Sequence, residues 1–175
     1  MLYAAYRYWH NHAFDNIICD VAREHDLPEE LLHAVIRRES GFNHRSVGKA
    51  GEIGLMQVTP AAAADWAACL GYTNFNHYEL FNPETNIRAG AWYLSRACRY
   101  WRTKVNPLPY ALAEYNAGRS NALRWAKNDR NDPNVFWNNI TYPITRRYIK
   151  DIMQDYRRHT PPTKDQQTGK AGKNQ

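Results

Sequence analysis

Apolar residues recur along this chain at intervals of three and four, in segments separated by Asn, Gly, Pro and Asp. No stretch alternates apolar and polar residues for long enough to build a sheet. The pattern predicts a mainly α fold, with helices over residues 3–24, 28–40, 60–70, 83–104, 107–117, 120–128 and 143–158. Pro28, Pro60, Pro83 and Pro143 each stand where a first helical turn begins, where a missing amide costs nothing and a fixed φ helps. Thr59 and Asn82 precede two of them and suit the N-cap. The helix opened by Pro83 repeats Ile87, Ala91, Leu94, Cys98 and Trp101 along one stripe, which predicts a central helix wrapped by the others.

Residues 1–159 read as one domain, because 175 residues with 43% hydrophobic content suffice for one core. From Thr160 onward the chain is Pro, Thr, Lys, Asp, Gln and Gly, without an apolar anchor to offset ordering entropy. Residues 160–175 are therefore expected to form a disordered tail. No run approaches the roughly 18 apolar residues needed to cross a bilayer. Met1 to Arg7 opens no apolar core of a signal peptide, so the chain reads as soluble.

The net charge of +6 and pI of 9.3 favour anionic partners: nucleic acid, a membrane surface or a carboxylate-rich polymer. The Lys and Arg residues are scattered and accompany no zinc-finger or other recognition signature, so a solvated basic surface is preferred to a nucleic-acid binder. Cys19, Cys69 and Cys98 are too far apart for a Cys-x-x-Cys site, and an odd count allows one bridge at most. Cys69 and Cys98, in predicted helices among apolar neighbours, are expected to be buried free thiols. No metal or cofactor is expected.

Between Pro28 and Ser40, a rotation of about 100° per residue puts Leu32, Val35, Ile36 and Glu39 on one apolar face. Glu29, Glu30, His33, Arg37 and Arg38 fall on other faces and look like ordinary solvated charges. A carboxyl at the end of an apolar stripe loses hydration, which raises its pKa and keeps it protonated near neutrality, as a general acid requires. The helix alone equally allows Glu39 to snorkel to water or pair with Arg38. Two further segments favour chemistry. Gly41 suits a left-handed cap after Glu39-Ser40, and Gly48, Gly51 and Gly54 give a loop leading into Leu55-Met56-Gln57 that can approach a ligand closely. Ala113-Glu114-Tyr115-Asn116-Ala117-Gly118 then ends another helix with a phenol, an amide and a glycine.

Glu-Ser-Gly, Gly-x-x-Gly-Leu-Met-Gln and Ala-x-Tyr-Asn-Ala-Gly, in this order and spacing, resemble the soluble lytic transglycosylase family. The resemblance runs from about residue 25 to residue 156 and includes Thr145-Arg146-Arg147-Tyr148-Ile149 as the family's closing segment. It implies a lysozyme-like helical domain whose cleft takes glycan strands of alternating N-acetylglucosamine and N-acetylmuramic acid. It also implies that Glu39 protonates the glycosidic oxygen, then deprotonates the muramoyl C6 hydroxyl to give a 1,6-anhydro product. The resemblance assigns Ser40, Gln57, Tyr115, Asn116 and Tyr148 to substrate contact or positioning. For four of these the residues allow structural roles: Ser40 as helix cap, Gln57 as loop fastener, Asn116 as backbone partner and Tyr115 as core. Leu55 and Met56 read as core. Ile144 and Thr59 depart from the family's usual acidic residue and methionine, and both bear on how the cleft holds sugar.

Two neighbouring readings remain open. A hydrolase like goose-type lysozyme needs a second carboxylate to place water, from Glu52, Asp65, Glu79, Glu84 or Glu114, with Glu52 the first to watch. A non-catalytic wall-binding module of a secretion or phage apparatus would keep the cleft without the reaction. The substrate implies a periplasmic or secreted monomer that works with cell-envelope machinery.

Overall fold

The computed structural model describes residues 12–160 of the chain. The start of the first predicted helix and the tail after Thr160 lie outside the described residues. Eight α-helices are described: α1 (Asp15–His25), α2 (Glu29–Ser40), α3 (Pro60–Cys69), α4 (Pro83–Trp101), α5 (Pro107–Ala117), α6 (Arg119–Ala126), α7 (Pro133–Asn139) and α8 (Pro143–His159). There is no β-strand among the described residues, only the isolated antiparallel bridges Val47 to Ile53 and Ile53 to Val58. The mainly α expectation holds.

Proline and its preceding cap explain most helix starts. Pro60, Pro83, Pro107, Pro133 and Pro143 occupy first-turn positions, while Pro28 falls one residue earlier, at the N-cap of α2. Thr59 and Asn82 accept hydrogen bonds from the Ala62 and Thr85 amides, as expected of N-caps. Two elements escape the periodicity reading. Residues His77–Phe81 form a short 3-10 helix closed by a capping box between Asn76 and Glu79. Helix α7 is seven residues long, too short for a periodic stripe to show, although Asp132 caps it ahead of Pro133. Before it, Lys127 takes extended backbone and ends α6 at Ala126, and Asn128, Arg130 and Asn131 then take positive φ. The predicted extension of α4 to residue 104 is also absent, since the helix stops at Trp101.

The stripe of α4 is central as predicted. Ile87, Ala91 and Leu94 are fully buried, and α4 packs against α1, α3, α5 and the 3-10 helix. Helix α5 sits between α4 and α8, and α8 in turn covers α2. The cysteines are free, but Cys98 is half-buried and Cys69 is exposed rather than buried, because α3 ends at Cys69 and turns its last residue outward.

The segment from Gly41 to Thr59 crosses between α2 and α3 and is fastened from below by Asn86. This fully buried amide accepts from the Met56 N–H at 2.8 Å and donates to the Ile53 and Leu80 carbonyls at 2.8 and 2.9 Å. These three hydrogen bonds offset the cost of burying an amide and fix the loop's height above α4. Gly54, at φ +80°, lies so close to Asn86 and to the Leu80 carbonyl that a Cβ would stand 2.8 Å from that oxygen. Gly90 makes matching room for Met56, whose Cβ would be 2.6 Å from any side chain there.

Candidate active site

Glu39 lies in the last turn of α2, which Gly41 terminates in the left-handed region, and its carboxyl is partly buried. The hydroxyl of Tyr148 on α8 donates to Glu39 Oε1 at 2.6 Å, and Tyr148 itself is 1% exposed. Burial pushes the Glu39 pKa up from 4.5 to about 7, against the downward pull of the Tyr148 hydrogen bond and the Arg38 charge. Glu52 pushes it further up by like-charge repulsion. Glu39 can therefore give a proton at neutral pH and, once ionised, take one back. The inward-facing acid read from the helical period is what the fold presents.

The charges beside it are not ordinary solvated ones. Arg37 pairs with Asp155, and Arg38 lies 3.3 Å from Asp151 with its guanidinium 5.5 Å from the Tyr148 ring centroid. Together they clamp α2 to α8 and hold the Glu39–Tyr148 pair in register. His33 is largely covered too, against the Phe42 ring, and burial lowers its pKa.

Tyr115 donates to the Met56 carbonyl at 2.9 Å, and burial raises its pKa well above the ordinary phenol range. It thus remains a neutral donor close enough for the Glu39 charge to act on it. Ser40 donates to the Leu55 carbonyl at 2.8 Å, so it ties the helix end to the loop rather than simply capping it. Gln57 takes a positive φ and donates its amide to the carbonyls of Gly54 and Ser46 at 2.9 and 3.3 Å. With both amide hydrogens serving the loop, its amide oxygen is what remains to offer a ligand. Asn116 is exposed and accepts from the buried Thr145 hydroxyl at 2.7 Å, which joins α5 to α8 and leaves its NH₂ unused by that bond.

Gln57, Thr59, Tyr93, Glu114, Tyr115 and Asn116 line a cavity of about 180 Å³. Glu39, Tyr148 and Tyr115 sense one another electrostatically, and Ser40 is joined to the loop through Leu55. Three of the six predicted residues, Gln57, Tyr115 and Asn116, thus line the cavity, while Glu39 and Tyr148 stand within electrostatic reach of Tyr115 and Ser40 reaches the adjoining loop. A larger groove of about 560 Å³, lined by Trp137, Ile149, Met153, Arg157 and Arg158, lies on the face of α8 turned away from Tyr148 and contains no carboxyl. Thr59 both caps α3 and faces the cleft, whereas Ile144 is 73% exposed.

Of the other candidate carboxylates, Glu79 closes the 3-10 capping box, Glu84 pairs with Arg88, and Asp65 is exposed. Glu114 is buried on Trp101 Nε1 and Arg119. Glu52 alone acts on Glu39. Asn86 escaped the sequence reading, although an amide on the buried stripe of α4, one turn before Gly90, was a visible signal. Among the described residues no cluster of three or more His, Cys, Asp and Glu side chains could hold a metal ion.

Fold and site together define a helical domain in which one partly buried carboxyl of raised pKa, Glu39, stands within electrostatic reach of Tyr115 in the cavity lining. Residues 17–137 match the family model described as the transglycosylase SLT domain, and the chain belongs to that family. It is 29% identical over 152 residues to the soluble lytic murein transglycosylase of Salmonella typhimurium, covering 84% of this chain and 23% of that protein. It is 30% identical over 125 residues to the membrane-bound lytic murein transglycosylase C of Salmonella arizonae, covering 68% of this chain and 35% of that one. The fold superposes with a TM-score of 0.75, at 27% identity, on an inactive mutant of the lytic transglycosylase Slt from Pseudomonas aeruginosa. That match covers 83% of this chain and 23% of the solved one, so the chain spans only a fraction of each relative's length.

Proposed function

We propose that this chain is a peptidoglycan lytic transglycosylase. It cleaves the β-1,4 bond between N-acetylmuramic acid and N-acetylglucosamine and leaves a 1,6-anhydromuramoyl end. The observation that carries this reading is Glu39: a carboxyl with a pKa near 7 that accepts the Tyr148 hydroxyl and lies within electrostatic reach of Tyr115 in the cavity lining. One group that is half protonated at neutrality serves both proton transfers. As acid it protonates the leaving glycosidic oxygen, and as carboxylate it removes the proton from the C6 hydroxyl that attacks C1. A retaining hydrolase uses two carboxyls about 5–5.5 Å apart, one of them a nucleophile, and this route needs no second nucleophile.

Tyr148 orients Glu39. Tyr115 and Ser40 hold the Leu55-Met56 segment at the cleft floor through its carbonyls, and Gln57 and Asn116 offer an amide oxygen and an amide NH₂ to the sugar. The helical unit ending at His159 acts as a catalytic domain, monomeric. Because its substrate lies outside the cytoplasmic membrane, the protein works in the periplasm or outside the cell, in company with envelope machinery. Among the described residues no helix is long and apolar enough to cross a membrane.

Digestion of purified peptidoglycan followed by mass spectrometry tests the reading. Anhydromuramoyl ends are expected from the wild-type chain and none from Glu39→Gln. Reducing, hydrated muramic ends as the main product would replace it with hydrolysis.

A further inference from the structure

Glu52 is partly buried in the loop between α2 and α3, and the chain folds around its side chain. Its Oε2 accepts from the Ala50 N–H at 2.9 Å, while its own carbonyl accepts from the Gly48 N–H at 2.7 Å. A Cβ built on Gly48 would stand 2.9 Å from the Glu52 carboxyl carbon and 3.0 Å from the Gln57 amide oxygen. Gly48 has no left-handed φ, so space rather than backbone conformation demands a glycine there. The carboxylate fills the volume that any side chain at position 48 would need.

A loop glutamate with no such duty would reach into water or pair with a base. Among the described residues no lysine, arginine or histidine pairs with Glu52. Instead it is anchored through one oxygen beside Gln57, within electrostatic reach of Glu39. Holding an anion next to a half-buried carboxyl costs repulsion, which an arriving positive charge would relieve. The Glu52 carboxyl carbon and the Gln57 amide oxygen stand 2.9 and 3.0 Å from the same point above Gly48, and Gln57 lines the cavity, so the two acceptors together match a ligand group that carries an N–H and becomes positive during reaction.

We propose that Glu52 is a second catalytic carboxylate, which accepts the N–H of the muramoyl acetamido group and stabilises the cation that this group forms at C1. This rests on the transglycosylase reading and on Glu39 as its acid. In the first step the Glu39 carboxyl gives its proton to the glycosidic oxygen, and the C1–O bond breaks with its electron pair on the departing N-acetylglucosamine hydroxyl. The acetamido carbonyl oxygen bonds to C1, closing a cationic oxazolinium ring whose N–H faces Glu52. In the second step the C6 oxygen bonds to C1, the ring C1–O bond returns its pair to the acetamido oxygen, and the C6 proton passes to Glu39. Glu52 neither gains nor loses a proton, and its charge acts only while the ring is cationic.

Glu52→Gln preserves shape and an acceptor for Ala50 but removes the charge. With purified peptidoglycan as substrate, kcat is expected to fall by roughly 10²-fold with KM changed far less, by the yardstick of one lost transition-state contact. Gly48→Ala should mimic this loss by displacing the carboxylate, yet cost nothing further in a Glu52→Ala background, where the space is already vacant. That double variant decides the matter should Glu52→Gln fold poorly by its melting curve. A Glu52→Gln enzyme with wild-type kcat beside a dead Glu39→Gln overturns the proposal, as does an equal Gly48→Ala penalty in both backgrounds. Reducing ends made by the wild type and lost in Glu52→Gln would show Glu52 placing water, and would overturn it too. Failure of the parent reading looks different: wild type and Glu39→Gln would release the same products.

Discussion

Glu39 and Asp129 each receive a tyrosine hydroxyl at 2.6 Å, from Tyr148 and Tyr110, and each is taken out of full contact with water. Their acidities diverge. Burial pushes Asp129 upward as it does Glu39, but Lys104 Nζ at 2.7 and 2.8 Å from its two oxygens, together with Tyr110, brings its pKa below the ordinary value. Glu39 has the tyrosine without a paired cation: Arg38, the nearest, spends its guanidinium on Asp151 and the Tyr148 ring. The same hydroxyl geometry therefore makes a structural anion in one region, where it anchors the loop after α6, and a titrating acid in the other. A missing lysine separates the two.

The comparison breaks most completely at Glu39. Glu39→Gln is expected to lower the rate of anhydromuramoyl release by roughly 10²–10⁴-fold, the range for loss of a general acid or base. Lys104→Met attacks the other region: it leaves Asp129 buried with no cation and should cost about 3–5 kcal/mol in chemical denaturation. Its rate per folded molecule should remain at the wild-type value. The wild-type Lys104–Asp129 contribution is present above the ordinary aspartate pKa of 3.8 and is lost as pH falls through the depressed folded value.

Glu39 has the opposite sign. Its folded pKa of about 7 lies above the ordinary 4.5, so the folded state holds an extra proton between those values and loses stability as pH rises through them. Glu39→Gln should therefore leave stability unchanged near pH 4 and raise it by about 2 kcal/mol above pH 7, after discounting for partial exposure. A gain independent of pH would contradict the raised pKa. Smaller still, Tyr148→Phe removes the donor that pulls Glu39 down, at a cost of about 1 kcal/mol in stability. The alkaline limb of the pH–activity profile should then move above 7, while the same change at Tyr110 leaves that limb in place.

The long helices were legible because their causes are local. Proline at the first turn, a capping Thr or Asn, and an apolar residue every third or fourth position act within a few residues of themselves. Helix α7 and the 3-10 helix were not, since five to seven residues are too few for a period to show, even with Asp132 and Asn76 in place as caps. In the site, the inward aim of Glu39 followed from its helical face. Its hydrogen bond to Tyr148, 109 residues away, did not, nor did the Arg37 and Arg38 clamp, which the helix alone presents as solvated charge. Asn86 drew no reading from the sequence, because its three side-chain partners come from elsewhere in the fold: Met56 and Ile53 from the loop seated above it and Leu80 from the 3-10 helix.

By itself the sequence determined where helices begin, which face each buries, and that a carboxyl would end the apolar stripe of α2. Those follow from bond geometry and water avoidance along short spans of chain. Only the tertiary structure decided which carboxyls stay anions and which become acids. That choice depends on whether a cation arrives from another helix to match the charge that burial leaves behind: Lys104 reaches Asp129, and Glu39 meets Tyr148 and Glu52 instead.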